Sequence, residues 1–238
     1  IIFIDKKNLI FPEINEFKYY WELQPNTIVI SEPDWLGYKV TSTHNADGLN
    51  ERFDYEVVKP ANTFRIITLG DSFTYGANVD TPNNWSEQLE DMLNNNQTID
   101  NNLEFEVINL GVSGFDVAYL IKRYQDIGAK YKPDLIIWFE SGSGFSRLNE
   151  IEQPITQNCI KEYQDKGINV DNEAIHPCHI KTDRFVRTQP RDEINENIVK
   201  KLNEFLQTLA SNKIIFFSFT KETSFDNDLL ETSIKRIH

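Results

Sequence analysis

At the centre of this chain lies the stretch Arg65-Ile66-Ile67-Thr68-Leu69-Gly70-Asp71-Ser72-Phe73-Thr74-Tyr75-Gly76, an apolar run that stops at a glycine and continues into an acid and a serine. Its isoleucines and leucine are typical of a strand that is covered on both faces. Gly70 permits a sharp turn where that strand ends, and Ser72 then lies just beyond the carboxyl end, where open α/β sheets build their sites. The same residues also suit a plain tight turn with a capping serine, so two interpretations of Ser72 stay open at this point.

Two short segments resemble sequence blocks of a known hydrolase family. Gly70-Asp71-Ser72-Phe73-Thr74-Tyr75-Gly76 is similar to the first block of the SGNH hydrolases, also called the GDSL esterase/lipase family, which implies Ser72 as nucleophile and its N–H as an oxyanion donor. Asn109-Leu110-Gly111-Val112-Ser113-Gly114 resembles the second block, which implies the N–H of Gly114 as the next donor. Without the resemblance, Gly114 suits a simple strand-to-helix turn equally well. The first block is not the G-x-S-x-G elbow of α/β-hydrolases, because Thr74 stands where the second glycine belongs.

The third family block departs from its pattern in this chain. It normally reads Gly-x-Asn-Asp and supplies an asparagine side chain as the third oxyanion donor. Here the sequence is Glu140-Ser141-Gly142-Ser143-Gly144-Phe145, and counting without gaps from Pro133-Asp134 puts Ser143 in the asparagine's place. A serine hydroxyl can donate but is shorter and free to rotate, and the loss of one oxyanion donor costs on the order of 10²–10³ in rate.

The fourth family block, Asp-x-x-His, supplies the base and its orienting acid, and it has no match in this sequence. Glu173-Ala174-Ile175-His176 is similar locally but precedes the last predicted helix and strand, so His176 and Asp71 are the candidate base or orienting residues. We predict that the chain holds no complete triad and that His44, His176, His179 and His238 all lie away from the Ser72 hydroxyl. We expect the native chain to continue past His238 into the missing block.

Alternating strand and helix patterns predict the fold. Apolar strand-like runs and helical stripes follow one another from the first block onward, which favours a parallel sheet with helices on both faces. We predict a three-layer α/β/α, flavodoxin-like domain over residues 63–238 with about five strands, and an N-terminal lead-in layer over residues 1–62. The polar segment 147–191 has little periodicity and is predicted to be an insertion or a lid. The predicted strands are 1–4, 27–30, 66–69, 105–110, 135–139 and 213–219. The predicted helices are 81–93, capped by Thr81, 117–131, and 192–211, capped by Asp192, and one more helix is predicted to begin in the tail 225–237.

A turn-rich segment precedes the first block. His44-Asn45-Ala46-Asp47-Gly48-Leu49-Asn50 resembles the lead-in of one bacterial branch of the family. We interpret it as structural, with His44 as a further candidate ligand or catalytic residue.

Composition excludes some partners. Lys+Arg 24 against Asp+Glu 37 gives a net charge of −13, which repels phosphate backbones and excludes nucleic acid as a partner. No apolar run approaches the roughly 18 residues that a membrane span needs. The chain begins at Ile1, so we expect that an N-terminal piece has been lost, which could have been a signal peptide or an anchor. We expect an extracytoplasmic or secreted location, and a cytoplasmic one is the alternative.

Cys159 and Cys178 are the two cysteines, and they lie in the same polar segment. A disulfide suits an exported protein, and two unrelated thiols are the alternative. Cys178 also lies beside His176 and His179, but no metal-ligand spacing is present, so we expect neither a metal nor an organic cofactor.

Two functions are compatible with these patterns. The first is an SGNH-type serine esterase or carbohydrate O-deacetylase that acts on a small-molecule or glycan ester through an acyl-Ser72 intermediate. The second is a catalytically impaired module of the same fold that binds a glycan or a protein partner. The sequence leaves the oligomeric state undetermined.

Overall fold

The computed structural model describes residues 22–95, 102–141, 144–145, 147–168, 172–209 and 213–218. Strands and helices alternate along most of this length. The strands are β1 (Ile28–Ser31), β2 (Val40–Thr43), β3 (Thr63–Leu69), β4 (Glu104–Asn109), β5 (Leu135–Glu140) and β6 (Lys213–Ser218). The helices are α1 (Ser72–Tyr75), α2 (Trp85–Asn94), α3 (Val117–Arg123), α4 (Asn149–Asp165), α5 (Asn172–Arg187) and α6 (Arg191–Thr208).

Four strands form the main sheet in the order β4-β3-β5-β6, and every neighbouring pair is parallel. In the centre, Ile67 is in register with Ile108 on one side and with Ile136 on the other. Parallel strands place all their carboxyl ends at one edge, so the segments after β3, β4 and β5 meet there. That edge carries the candidate site.

Helices cover both faces of this sheet. Because side chains alternate along a strand, Ile66 packs with Leu89 of α2 on one face, whereas Ile67 belongs to the larger cluster with Ile121 of α3 and Phe205 of α6. Full burial of such an aliphatic side chain contributes about 1.5–3 kcal/mol. The predicted three-layer α/β/α fold is confirmed.

The lead-in segment contacts the turn after Ser72. β1 and β2 form a separate antiparallel pair. From β2, the N–H of Thr43 donates to the Thr81 hydroxyl at 2.7 Å, and Asn50 Nδ2 donates to the Tyr75 carbonyl at 2.7 Å. These bonds fix residues 40–50 against the end of α1. The predicted strand over residues 1–4 and the helix predicted to begin in 225–237 lie outside the described residues.

The predicted helix start at Thr81 is wrong for α2. Thr81 and Pro82 lie in a separate 3₁₀ turn, and Asn84 is the cap, its side-chain oxygen accepting from the Glu87 N–H at 2.9 Å. The Thr81 hydroxyl is already engaged, since it accepts from Thr43 and donates to the side-chain oxygen of Asn50. It therefore has no role in capping α2.

The other helix boundaries also shift. The continuous helix predicted over 117–131 is wrong after Arg123, because α3 gives way to a π-turn at Tyr124–Gly128 and a 3₁₀ turn at Ala129–Tyr131. α6 begins at Arg191 after Pro190, so Asp192 lies in the first turn instead of capping it. An acid there still interacts favourably with the positive end of the helix dipole.

The segment with little periodicity contains the two helices α4 and α5. Each holds an internal proline, Pro154 and Pro177. The helices are joined in part by polar and covalent contacts: the Thr156 and Thr182 hydroxyls lie 2.9 Å apart, and a disulfide links Cys159 to Cys178. Because polar and covalent contacts supply part of what joins these helices, their apolar repeat is weak, and periodicity did not predict them.

None of the described helices has the length and apolar character that crossing a membrane requires.

Candidate active site

Ser72 is the first residue of the short helix α1, three residues beyond the end of β3. The preceding residue, Asp71, caps this helix, and its Oδ1 accepts from the N–H of Phe73 at 3.1 Å. Gly76 ends the helix in the left-handed region at φ 80°, and its N–H donates to the Ser72 carbonyl at 3.0 Å. The turn therefore holds the half-buried Ser72 from both sides.

Two glycines allow the backbone segments at this edge to approach one another closely. A Cβ on Gly70 would lie 2.8 Å from the carbonyl oxygen of Phe139, at the end of β5. A Cβ on Gly111 would lie 2.4 Å from the backbone nitrogen of Tyr75. The chain after β4 thus packs directly against α1, which side chains at these two positions would prevent.

Gly114 follows β4 on the same edge. The hydrogen-bond pattern of β3 and β4 continues beyond the strands, because the N–H of Val112 donates to the Gly70 carbonyl at 3.2 Å. Ser72 lies two residues after Gly70, and Gly114 lies two residues after Val112. Gly114 has a φ of 85°, which favours glycine. Ser72 and Gly114 therefore lie at the same edge of the sheet, as the sequence predicted.

The loop after β5 contributes contacts to Asp71. The Ser141 hydroxyl donates to Asp71 Oδ2, and Arg147 Nη1 lies 3.9 Å from the same oxygen. Both carboxylate oxygens of Asp71 are therefore engaged in holding the Ser72 turn. At the end of β5, Glu140 is buried and its Oε1 accepts from the N–H of Gly144 in this loop at 2.8 Å. Ser143, the predicted third oxyanion donor, lies outside the described residues.

A cavity of about 280 Å³ opens beside Ser72. Its lining is largely apolar, with Phe73, Ala77 and Val79 contributing side chains. The carbonyl of Asn78 on its rim accepts from the Tyr38 hydroxyl at 3.3 Å. The cavity can hold an apolar group next to the serine.

The segment that carries these site residues matches a known protein family. The family described as GDSL-like Lipase/Acylhydrolase matches residues 66–228, which include both Ser72 and Gly114. This chain belongs to that family. The resemblance seen in the first two sequence blocks is thereby confirmed, and the activity class of the GDSL family is that of a lipase or acylhydrolase.

Solved structures with a related fold are distant. One is TesA, 14% identical over 73% of this chain and 69% of the TesA chain, with a TM-score of 0.39. Two others are mutants of the esterase AlinE4, each 16% identical over 75% of this chain and 97% of that chain, with a TM-score of 0.32. No curated protein sequence matches the chain.

The base that a GDSL hydrolase needs is not assembled within the described residues. Among them, no side chain hydrogen-bonds to the Ser72 hydroxyl. His44 is buried and engaged elsewhere, with Nε2 3.0 Å from the Tyr75 hydroxyl and Nδ1 2.9 Å from the Thr27 hydroxyl. Burial lowers the pKa of His44 and favours its neutral form.

The remaining histidines are placed only in part. The backbones of His176 and His179 lie in α5, while their side chains and all of His238 are outside the described residues. Thr182 stands opposite Thr156 and Cys178 opposite Cys159, so the helices are antiparallel and His176 is level with about residue 161. At 1.5 Å per residue, that level is about 18 Å along α4 from Asn149, which contacts Gly114.

α4 and α5 also carry the two cysteines, one in each helix. Cys159 and Cys178 are disulfide-bonded, which removes Cys178 from a zinc arrangement with His176 and His179. Within the described ranges, no group of three or more His, Cys, Asp or Glu side chains is arranged to hold a metal ion.

Sequence reasoning missed two asparagines that support the site. Asn109 Nδ2 donates to the Thr74 carbonyl at 2.8 Å, and its Oδ1 accepts from the Gly111 N–H at 2.8 Å. Its place at the start of the second block was an available signal. Asn149 donates to the Gly114 carbonyl from 35 residues away, and no sequence pattern indicates that contact.

Proposed function

We propose that this GDSL-family protein is a serine esterase that cleaves short-chain esters through an acyl-Ser72 intermediate. The observation that supports it most is the placement of Ser72 at the start of α1 and of Gly114 on the neighbouring loop, linked by the Val112–Gly70 hydrogen bond of 3.2 Å. Backbone N–H groups at such positions are suited to stabilise a tetrahedral oxyanion. The acid-capped turn presents the serine at that place.

In the proposed reaction, Ser72 Oγ attacks the ester carbonyl carbon and loses its proton to a base. The carbonyl oxygen becomes an oxyanion that accepts hydrogen bonds from the N–H groups of Ser72 and Gly114. Collapse of this intermediate breaks the bond to the alcohol, which leaves with a proton, and forms the acyl-serine ester. Water then adds to the acyl carbon, releasing the acid and restoring the serine hydroxyl.

We infer that the base comes from outside the described residues. A serine hydroxyl is a weak nucleophile at neutral pH without one. The position of His176 along α5, about 18 Å from the Gly114 end of α4, speaks against its earlier candidacy. Asp71 is engaged by Ser141 and by the cap of α1, so we assign it a positioning role.

The cavity supports a short acyl group as the part of the substrate that is recognised. Pockets for drug-sized ligands measure about 300–1,000 Å³, and the cavity of about 280 Å³ lies just below this range. Its apolar side chains have no charge to offer an ionic acyl group. Acetyl esters, including those of glycans, and other short esters fit these limits.

We further propose an extracytoplasmic location. The Cys159–Cys178 disulfide supports it, because structural disulfides persist in oxidising compartments.

Hydrolysis of p-nitrophenyl acetate tests the proposed function. We expect the wild type to turn over this ester and Ser72→Ala to fall to the uncatalysed rate. Ser113→Ala is the matched control, since it removes an exposed hydroxyl from the neighbouring loop and should leave turnover unchanged. Equal rates for Ser72→Ala and wild type would overturn the proposal.

A second function, a binding module without turnover, is favoured by one observation. Within the described ranges the Ser72 hydroxyl has no hydrogen-bonded base. In that case neither the wild type nor either variant hydrolyses the ester, and an acetylated glycan binds equally well to wild type and Ser72→Ala in calorimetry.

A further inference from the structure

Gly114 needs an external restraint if its N–H is to serve as an oxyanion donor. It has a φ of 85°, and a glycine is not confined to this conformation by a side chain of its own. An oxyanion donor stabilises charge efficiently only when it is already oriented before the reaction. The residues that hold the Gly114 loop therefore bear on the rate.

Asn149 supplies that restraint from the first turn of α4. Its Nδ2 donates to the Gly114 carbonyl at 2.8 Å, and its backbone N–H donates to Asp116 Oδ2 at 2.6 Å. Its carbonyl accepts from the Tyr119 hydroxyl at 3.4 Å. Asn149 is 2% exposed, so water does not compete with these bonds.

The bonds from Asn149 hold Gly114 and Asp116, the residues on either side of Phe115. Phe115 is fully buried and its ring meets that of Tyr119 edge to face, with centroids 5.1 Å apart. Asp116 in turn caps α3, accepting from the Tyr119 N–H at 2.9 Å. The loop from Gly114 to the start of α3 is thus held by one residue of α4.

α4 is itself anchored. The buried Lys201 of α6 pairs with the buried Glu150 at 3.0 Å, directly after Asn149. Further along, the Thr156–Thr182 contact and the Cys159–Cys178 disulfide join α4 to α5. Asn149 therefore belongs to a fixed element and is not a mobile loop residue.

We infer that Asn149 is a positioning residue that orients the oxyanion loop at Gly114 and couples it to the disulfide-linked helix pair. The inference rests on the proposed function for its effect on rate. Its structural part, the restraint on residues 113–115, stands apart from activity.

The test uses Asn149→Ala and the isosteric Asn149→Asp, which presents oxygens to the Gly114 carbonyl in place of the amide donor. A displacement of about 1 Å in a site costs up to about 10² in rate, so we expect kcat to fall by about 10- to 100-fold with KM nearly unchanged. If the alanine variant does not fold, the isosteric variant decides. Asn94→Ala is the matched control: its Nδ2 donates to the Phe105 carbonyl at 2.9 Å, away from the serine.

Amide hydrogen exchange separates this inference from the proposed function. We expect faster exchange of the Phe115 amide, which donates to the Val112 carbonyl at 3.2 Å, in the Asn149 variants but not in Asn94→Ala, whether or not the wild type is active. Wild-type exchange in those variants overturns the positioning role. An inactive wild type whose Asn149 variants lose protection contradicts the esterase proposal alone, and an active wild type whose Asn149 variants keep both kcat and protection contradicts this inference alone.

Discussion

At the level of single residues, a few small or apolar side chains determine the volume of the cavity beside Ser72. Val79 is 37% exposed and lines its wall together with Ala77 and Phe73. The exposed Phe73 ring meets Phe139 edge to face, with centroids 5.8 Å apart. Under the proposed function, this space holds the acyl group, and its depth sets the acyl length that the serine can process.

Substitution of Val79 by tryptophan should therefore shorten the preferred acyl chain. An indole fills part of the cavity, and each methylene in such a pocket changes the discrimination by about 10- to 200-fold. We expect the ratio of kcat/KM for p-nitrophenyl hexanoate to that for the acetate to fall at least about 10-fold. Val58→Trp places the same side chain at an exposed position that does not line the cavity and should leave the ratio unchanged. An unaltered ratio in Val79→Trp would mean that the acyl group binds elsewhere.

At the level of elements, α2 packs against the lead-in through an unusual group of carboxylates. Glu51, Glu87 and Glu90 are all buried, and Arg52 pairs with Glu87. Tyr55 donates to Glu90 Oε2 at 2.9 Å. Burial, together with Glu87 and Glu90, raises the pKa of Glu51 well above its usual 4.5, and burial also raises the pKa of Glu90.

The raised pKa of Glu51 predicts a specific pH dependence of stability. Above about pH 4.5 the unfolded chain releases the Glu51 proton while the folded protein keeps it, so the free energy of unfolding falls as pH rises towards the folded pKa. Glu51→Gln has no such proton, keeps an acceptor for the Asn109 N–H, and should escape this decline. Urea unfolding between pH 4.5 and 8 should show wild-type stability falling relative to Glu51→Gln. Exposed Glu56→Gln is the control and should run parallel to the wild type, and the same result for Glu51→Gln would refute the account.

The helix pair α4–α5 depends on its disulfide. The two cysteines are 19 residues apart in sequence, and closing a loop of that size raises the free energy of unfolding by about 3 kcal/mol in the chain-entropy model. Since about 1.4 kcal/mol corresponds to a factor of ten, the double variant Cys159→Ser/Cys178→Ser should exchange its α4 and α5 amides about 100-fold faster. Exchange in β3 and β5 should change little, and treatment of the wild type with reductant should reproduce the effect. Unchanged protection in both helices would show that their packing alone suffices.

The elements that were predictable from sequence are those with a strong apolar signal. Residues 66–69 and 135–139 are continuous apolar runs and lie in parallel strands of one sheet, as expected. α4 and α5 were not predictable because part of what joins them is polar or covalent, although Ile151 and Val186 do contact the apolar core. The start of α2 was misplaced since the Thr81 hydroxyl serves a tertiary contact to β2, which local propensity does not register.

At the level of the whole molecule, the sheet gathers residues from distant parts of the chain at one edge. Ser72 and Gly114 were predictable because short blocks carry them and parallel strands bring such blocks together. Asn149 was not, since it reaches Gly114 across 35 residues with no local pattern. The net charge of −13 repels anionic polymers, and the small neutral esters of the proposed function are compatible with it.

The proposed function requires that Ser72 be an activated nucleophile in a GDSL-family site. Reaction of the intact protein with a fluorophosphonate, followed by mass spectrometry of the digest, is the test, since the reagent phosphonylates a serine whose proton is withdrawn and whose oxyanion is stabilised, with loss of fluoride. We expect one adduct, on the peptide that contains Ser72, with wild-type labelling retained in Ser113→Ala and lost in Ser72→Ala. An unlabelled wild type, or an adduct that persists in Ser72→Ala, would contradict it.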